Sequence, residues 1–125
     1  MRVRLGSFQG FHQADPFKTW DWDAPVNYEN GVPIPAADDL SYTLNCGTTS
    51  GGPYDVFSTL LNEPPPDVDV DMGPLVNNTP GDYYCVATAT SILHGTESGP
   101  SNEVNFTVLP GDLGLRPEPP VLRLN

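Results

Sequence analysis

The chain has 125 residues with 15 prolines and 12 glycines, so it has the size of a single domain in which long helices are disfavoured. Its net charge of -11, from 16 acidic and 5 basic residues, disfavours binding to nucleic acids or anionic membranes, since both require clustered cations. Many short strands joined by turns fit this composition better.

The charges are distributed unevenly along the chain. No Lys or Arg occurs between residues 19 and 115, whereas only Asp15 and Glu118 among the 16 acidic residues lie outside that range. The centre is therefore strongly acidic, and the two ends are mildly basic. Either the centre is simply a solvated acidic surface, or the ends have a separate task, such as docking on a partner.

The sequence contains no signal for membrane insertion or secretion. No apolar run approaches the ~20 residues that a membrane-spanning helix needs. The N-terminus has two arginines but lacks the continuous apolar stretch of a secretory signal peptide. We therefore expect a protein that is made in the cytosol and is kept there or released by a route other than secretion.

Alternation of apolar and polar residues predicts the strands in chain order. Residues 1–18 are irregular and allow one short strand, whereas the segment TWDWD over residues 19–23 places Trp20 and Trp22 on one face. Residues 110–125 contain four prolines and favour an extended or polyproline-like tail. Further strands are predicted at residues 40–46, 54–61, 68–72, 83–90 and 103–109.

Three linked motifs resemble the fibronectin type III domains found in bacterial and phage proteins. Trp22 shortly before Pro25, the NGVPI loop at residues 30–34 and Tyr42 match the family's core Trp, its loop and the start of its strand C. The tract LVNNTPGDYYCVATAT, residues 75–90, matches its turn and strand F. The tract ESGPSNEVNFTV, residues 97–108, is similar to its F–G loop and strand G.

The resemblance covers about residues 19–109. It implies an all-β, immunoglobulin-like antiparallel sandwich of about seven strands, flanked by an irregular arm at residues 1–18 and a Pro-rich tail at residues 110–125. The sequence contains no RGD, so integrin recognition is not implied. The residues that we expect to be buried between the sheets are Trp22, Tyr42, Leu44, Tyr83, Ala87, Ala89, Val104 and Phe106.

The resemblance also bears on the two cysteines. It implies that strands C and F are antiparallel neighbours, which places Cys46 and Cys85 in the core near the same level, where a disulfide is within reach. Because a reducing compartment favours free thiols and Cys is a normal small core residue, we expect both to be reduced. A disulfide is the alternative, and it would indicate maturation in oxidising surroundings.

The sequence contains no recognised catalytic, phosphate-binding or dinucleotide-binding motif. We therefore expect no enzyme activity, no catalytic residues and no cofactor. His12 and His94 stand outside any motif, and His94 falls in the F–G loop, where a lone histidine is usually solvated.

Acidic residues are the other candidates for a metal site. Asp67, Asp69 and Asp71 share one face of a predicted strand, but a spacing of ~7 Å is too wide to chelate one ion. We expect them to be solvated and to protect the sheet from edge pairing, and we expect no metal site. Asp38 and Asp39 are interpreted as an ordinary loop pair.

Fibronectin-like domains are common appendages of phage particles, so the resemblance implies a non-catalytic structural or binding module. We expect a virion accessory protein, such as a capsid decoration protein, anchored to the major capsid protein or another virion protein by its terminal arms. The alternative is a cell-surface or glycan adhesion module of a tail fibre or a secreted bacterial protein. That alternative predicts an exposed aromatic platform, with Tyr28, Tyr54 and Phe57 as candidates.

The two ends combine apolar and basic side chains. A tail held extended by proline loses less entropy on docking, which suits strand addition or groove binding on a partner. The alternative is that one end packs on its own domain as an extra edge strand. The expected partner-binding residues are Arg2, Arg4, Phe8, Phe11, Leu113, Leu115, Arg116, Leu122 and Arg123.

Overall fold

A computed structural model describes residues 2–6, 17–61 and 68–124 of the chain. Within these ranges, seven strands form two sheets in which all neighbours are antiparallel. The first sheet contains, in spatial order, β1 (Val3–Gly6), β2 (Phe17–Trp22) and β5 (Val68–Asp71). The second contains, in spatial order, β4 (Phe57–Leu60), β3 (Ser41–Gly47), β6 (Gly81–Thr90) and β7 (Val104–Val108). The expected all-β sandwich is confirmed.

Two one-turn helices complete the described chain. Helix α1 (Met72–Leu75) begins at Asp71, whose carboxylate accepts a hydrogen bond from the Gly73 backbone N–H at 3.0 Å. A 3₁₀ helix (Pro110–Leu113) follows β7 and ends at Gly114, which has the left-handed φ of 72° that glycine tolerates best. No helix among the described residues has the length and apolar character to cross a membrane.

The core lies between the inner faces of the two sheets. Trp20 and Trp22 both point inward and are almost completely buried, as the alternation in β2 predicts. Tyr83 stacks on Phe106 with ring centroids 5.5 Å apart, and Trp20 meets the edge of Phe106 at 5.9 Å. All eight expected core residues are buried except Val104, which is half-buried and packs against the core.

The state of the cysteines differs from the expectation. The β3–β6 ladder places Cys46 directly opposite Cys85, and a disulfide joins them across a Cα–Cα distance of 4.1 Å. The prediction of two reduced thiols is wrong, because it was based on the expected compartment. The register brings the two inward-facing side chains within bonding reach, and both are fully buried.

The sandwich extends beyond residues 19–109 at both ends. Strand β1 lies inside the segment set apart as an N-terminal arm, and Val3 is 2% exposed. The Asn102 side chain pairs with the outer edge of β1, accepting from the Val3 backbone N–H at 2.8 Å and donating to its carbonyl at 3.0 Å. At the other end, Leu113 of the 3₁₀ helix packs against the core.

Candidate functional site

A cleft of about 640 Å³ lies at one end of the sandwich, between the β2–β3 loop (residues 23–40) and the β6–β7 loop (residues 91–103). We call it the loop cleft. Its volume falls in the range of about 300–1,000 Å³ that is typical of small-ligand sites. It is therefore the first candidate for a binding site in the described part of the chain.

The two walls of the loop cleft are joined by the buried carboxylate of Asp38. One Asp38 oxygen accepts hydrogen bonds from the hydroxyls of Tyr28 at 2.7 Å and Ser91 at 2.6 Å. The other accepts from the backbone N–H groups of Ile92 at 2.9 Å and Leu93 at 3.2 Å. With four donors and only 5% exposure, this carboxylate ties both loops into one unit.

The same contacts control the ionisation of Asp38. The hydrogen bond from Ser91 contributes most to lowering the pKa of Asp38 to about 2, and the bonds from Tyr28, Leu93 and Ile92 add to it. The bond to Asp38 is also the main reason why the pKa of Tyr28 is raised. Asp38 is therefore a stable anion at neutral pH, and its negative charge lies beside the cleft.

Ser91, His94 and Asp38 lie close together, but their geometry is not that of a nucleophile with its base. The Ser91 hydroxyl donates to Asp38 and accepts from the His94 backbone N–H at 3.1 Å. The His94 ring instead packs edge-on against Tyr28, with centroids 5.3 Å apart. These three residues therefore act here to fix the loops.

The β6–β7 loop is fastened along β6 by its own side chains. The hydroxyls of Ser98 and Ser101 accept from the backbone N–H groups of Ala89 at 2.9 Å and Ala87 at 2.8 Å. Glu97 accepts from the Thr88 hydroxyl at 2.9 Å. This wall of the cleft is thus preformed, which reduces the entropic cost of ligand binding.

The lining of the loop cleft is acidic and partly apolar. Glu29 and Glu97 supply the acidic groups, and no Lys or Arg is among the described residues that line it. The ring of Tyr28, together with Leu40 and Pro100, supplies apolar surface. The cleft is therefore suited to a cationic or neutral ligand and poorly suited to an anion.

A second carboxylate cluster fastens the β3–β4 loop to the start of β7. Glu103 accepts from the Ser50 hydroxyl at 2.9 Å, the Gly51 backbone N–H at 2.7 Å and the Tyr54 hydroxyl at 2.8 Å. These contacts, above all the Gly51 N–H, lower the pKa of Glu103. The strand predicted at residues 54–61 is shorter in the structure, where β4 begins at Phe57.

The acidic residues near β5 do not form a metal site in the described chain. Asp69 accepts from the Thr19 hydroxyl at 2.6 Å, Asp71 caps α1, and Asp67 lies outside the described residues. No group of three His, Cys, Asp or Glu residues within the described ranges is arranged to hold a metal ion.

The predicted partner-binding residues of the N-terminal segment are not all available. Arg2 is exposed, but the guanidinium of Arg4 binds the carboxylates of Asp21 and Asp23, each at 2.8 Å. These contacts, led by the one with Asp23, raise the pKa of Arg4 further. The other two predicted residues, Phe8 and Phe11, lie outside the described residues.

The predicted residues of the C-terminal segment fall into two groups. Leu113 is half-buried against the core. The Arg116 guanidinium lies so close to Gly111 that a Cβ atom added to this glycine would be 2.8 Å from the Nε of Arg116. Leu115 is 53% exposed, Leu122 is 97% exposed, and Arg123 is exposed as well. The sequence predicted one group of partner-binding residues, whereas the fold packs Leu113 against the core and leaves Leu115, Leu122 and Arg123 exposed. The spacing of apolar residues in the sequence does not show where the 3₁₀ helix ends.

The aromatic residues proposed for the adhesion alternative are all half-buried. Tyr28 lines the loop cleft, the Tyr54 hydroxyl is held by Glu103, and Phe57 packs toward Tyr83 with centroids 6.3 Å apart. Only Tyr28 is part of the cleft lining. The sequence pointed to Tyr28, but the interpretation of Asp38 as half of an ordinary loop pair is wrong, because nothing in an Asp-Asp pair shows that donors from a distant loop converge on it.

Nothing matched this chain in comparisons with protein-family models, with curated proteins or with solved structures.

Proposed function

We propose that the chain is a non-catalytic binding module of a virion, such as a capsid decoration protein, that attaches to a shell protein through its C-terminal tail (residues 114–124). The observation that carries this proposal is the exposure of the tail's apolar side chains. Val121 is 73% exposed, and Leu122 and Leu124 are almost fully exposed. Apolar side chains held in water are typical of a segment that becomes buried on a partner.

We also propose that the sandwich is a fibronectin type III domain, and the strand pairing supports this. The resemblance implied that the strands carrying Tyr42 and Tyr83 are neighbours, and β3 and β6 are indeed paired along their lengths. Multivalent display on a symmetric shell would allow a weak individual contact to suffice. The acidic body, with no Lys or Arg between residues 19 and 115, would then face solvent.

The experiment is a deletion of residues 117–125, which leaves Leu113 and Arg116 in place. The full chain and the shortened chain are each produced together with the major capsid protein of the same virion, and assembled particles are isolated by sedimentation. We expect the full chain to sediment with the particles and the shortened chain to remain in the supernatant, with the same melting temperature for both.

Two results would contradict the anchoring proposal. One is particle binding that persists after the deletion. The other is a lower melting temperature of the shortened chain, because it would mean that the tail stabilises its own domain. As a control, replacing Val26, which is exposed in the β2–β3 loop, with Ala removes an exposed apolar side chain elsewhere and is expected to leave particle binding intact.

A second candidate function, adhesion to a cell surface or glycan, is favoured by two observations. The Cys46–Cys85 disulfide is typical of proteins that mature in oxidising surroundings, and the loop cleft offers a preformed concave surface around Tyr28. A glycan array probed with the full chain tests this alternative. Binding that Tyr28→Ala abolishes and the tail deletion leaves unchanged would favour adhesion over anchoring.

A further inference from the structure

We propose that the C-terminal tail of one copy of this chain docks in the loop cleft of a second copy. The inference goes beyond the proposed function and does not depend on it, because it concerns two copies of this chain alone. It rests on the chemistry of the tail, on the matching chemistry of the cleft, and on the distance between them within one molecule.

The tail presents a cationic, proline-lined face. Pro117, Pro119 and Pro120 favour the polyproline II helix, which has about three residues per turn. Residues three apart therefore share a face, so Pro117, Pro120 and Arg123 align along one side. Arg123 is exposed, and no ion pair to it is present among the described residues.

The loop cleft presents the complementary surface. Its apolar part, formed by Tyr28, Leu40 and Pro100, can receive proline rings, which commonly bind in grooves lined by aromatic side chains. Glu29 and Glu97 give it a negative charge, which matches the charge of Arg123. The cleft belongs to a body that carries 14 of the chain's 16 acidic residues, whereas the tail beyond Gly114 carries two Arg and one Glu.

Pro117 and Pro120 of the tail are too far from the cleft of their own molecule to enter it. The cleft lies where β6 ends, next to Ala89 and Ser91, whereas the tail departs beside the start of β6, since Gly81 pairs with Val108. The ten residues of β6 separate the two places by roughly 30 Å. The Arg116 side chain lies next to Gly111 at that far end. Pro120 is four residues further along, which is about 12 Å in a polyproline II helix.

A contact between the tail of one copy and the cleft of another is heterologous. Each copy keeps one free cleft and one free tail, so the contacts can propagate into a row or close into a ring. The charge match gives the contact a dependence on ionic strength, because Arg123 and Glu29 are both exposed to solvent.

The experiment measures the association of the full chain by analytical ultracentrifugation over a range of protein concentrations up to roughly 1 mM, at low and at high salt. Two variants each destroy one half of the contact: Arg123→Glu in the tail and Glu29→Lys in the cleft. Asp55→Lys makes the same charge change as Glu29→Lys on an exposed residue outside the cleft, and is the matched control.

We expect the unaltered chain to form concentration-dependent oligomers that weaken as salt is raised. Each of the two variants should weaken association by at least about fivefold, since an attractive pair becomes a repulsive one, and Asp55→Lys should leave it near the original value. Mixing Arg123→Glu with Glu29→Lys should restore association, because the mixed pair brings an intact tail to an intact cleft.

Four results would overturn the inference. The full chain could remain monomeric over the whole concentration range, or association could survive in both variants. Asp55→Lys could weaken it as much as Glu29→Lys, which would indicate a general effect of charge. The mixture of the two variants could fail to associate, which would indicate that Arg123 and Glu29 do not lie on opposite sides of one contact.

Discussion

The β2–β3 loop and the C-terminal tail resemble each other in sequence and differ in structure. Both lack regular secondary structure over most of their length and each contains three prolines, at positions 25, 33 and 35 in the loop and 117, 119 and 120 in the tail. The loop is nevertheless tied to the body at Asp38, which receives four hydrogen bonds, whereas Leu122 and Leu124 of the tail lie in water. Proline content therefore does not determine whether an irregular segment is attached to the body of the domain. Attachment depends on whether the polar groups of the segment find buried hydrogen-bond partners.

The largest effect is expected from a substitution in the core next to the β2–β3 loop. Trp22 precedes the loop directly, is 2% exposed, and lies against Tyr42 with ring centroids 5.1 Å apart. Trp22→Ala should lower the free energy of unfolding by about 3–5 kcal/mol, a large part of the total stability of a small domain. Chemical denaturation monitored by far-UV circular dichroism measures the change. An effect below about 1 kcal/mol would contradict the burial of Trp22 in the core.

The disulfide is the next test, because it joins the two central strands on which the loops are mounted. Replacing both Cys46 and Cys85 with Ala should reduce stability by about 4 kcal/mol, since the bond closes a loop of 39 residues in the unfolded chain. Thermal denaturation of the variant and of the unaltered chain, each with and without reductant, measures the effect. Thiol labelling of the unfolded, non-reduced protein should find no free thiol, and two labelled thiols would contradict the disulfide.

Asp38→Asn tests the attachment of the loop itself. The amide keeps an oxygen that can accept, but it loses the charge and places an N–H₂ group among four donors. We expect a lower melting temperature and faster hydrogen exchange at the backbone N–H groups of Ile92 and Leu93. Exchange in the β3–β6 ladder should change less, and Asp39→Asn, next to it and exposed, is the matched control. Equal exchange at these two groups in both proteins would show that Asp38 does not hold the loops.

Acid should reproduce part of the Asp38→Asn effect in the unaltered chain. The pKa of Asp38 is about 2 in the folded protein and near 3.8 as an ordinary carboxyl. Because the folded pKa is the lower one, the contribution of Asp38 to stability is complete above about pH 4 and is lost as the pH falls toward 2. Melting temperatures of the unaltered chain and Asp38→Asn should therefore converge between pH 4 and pH 2. A constant difference over this interval would contradict the assigned ionisation.

The smallest effect is expected in the tail, where a substitution tests whether the exposed side chains contribute to the stability of the domain. Leu122→Ala should change the free energy of unfolding by no more than about 0.5 kcal/mol, because the side chain is 97% exposed. Leu44→Ala is the matched substitution in the core, where Leu44 is fully buried, and should cost about 2–5 kcal/mol. Chemical denaturation of the two variants gives both values. A large loss of stability in Leu122→Ala would mean that the tail packs on its own domain.

Much of the fold could be predicted from local patterns in the sequence. Alternation located β2, β3, β5, β6 and β7 to within a few residues, because side chains of a strand point alternately to the two faces of a sheet. It also identified Trp20 and Trp22 as partners on one face. The extended tail predicted for residues 110–125 differs from the structure at its start, where Pro110–Leu113 form a 3₁₀ helix, whereas Leu122 and Arg123 further on are exposed.

What the sequence by itself determined was therefore the class of fold, the strands and most of the core, since these depend on the order of apolar and polar residues along short segments. Only the tertiary structure decided the oxidation state of Cys46 and Cys85, the role of Asp38 and the division of the C-terminal segment at Leu113. Each depends on groups that are far apart in the chain: the cysteines are separated by 39 positions, and Asp38 and Ser91 by 53. Alternation along one strand contains no information about which residue of a distant strand or loop lies opposite, because that is set by the register and packing of the whole sandwich.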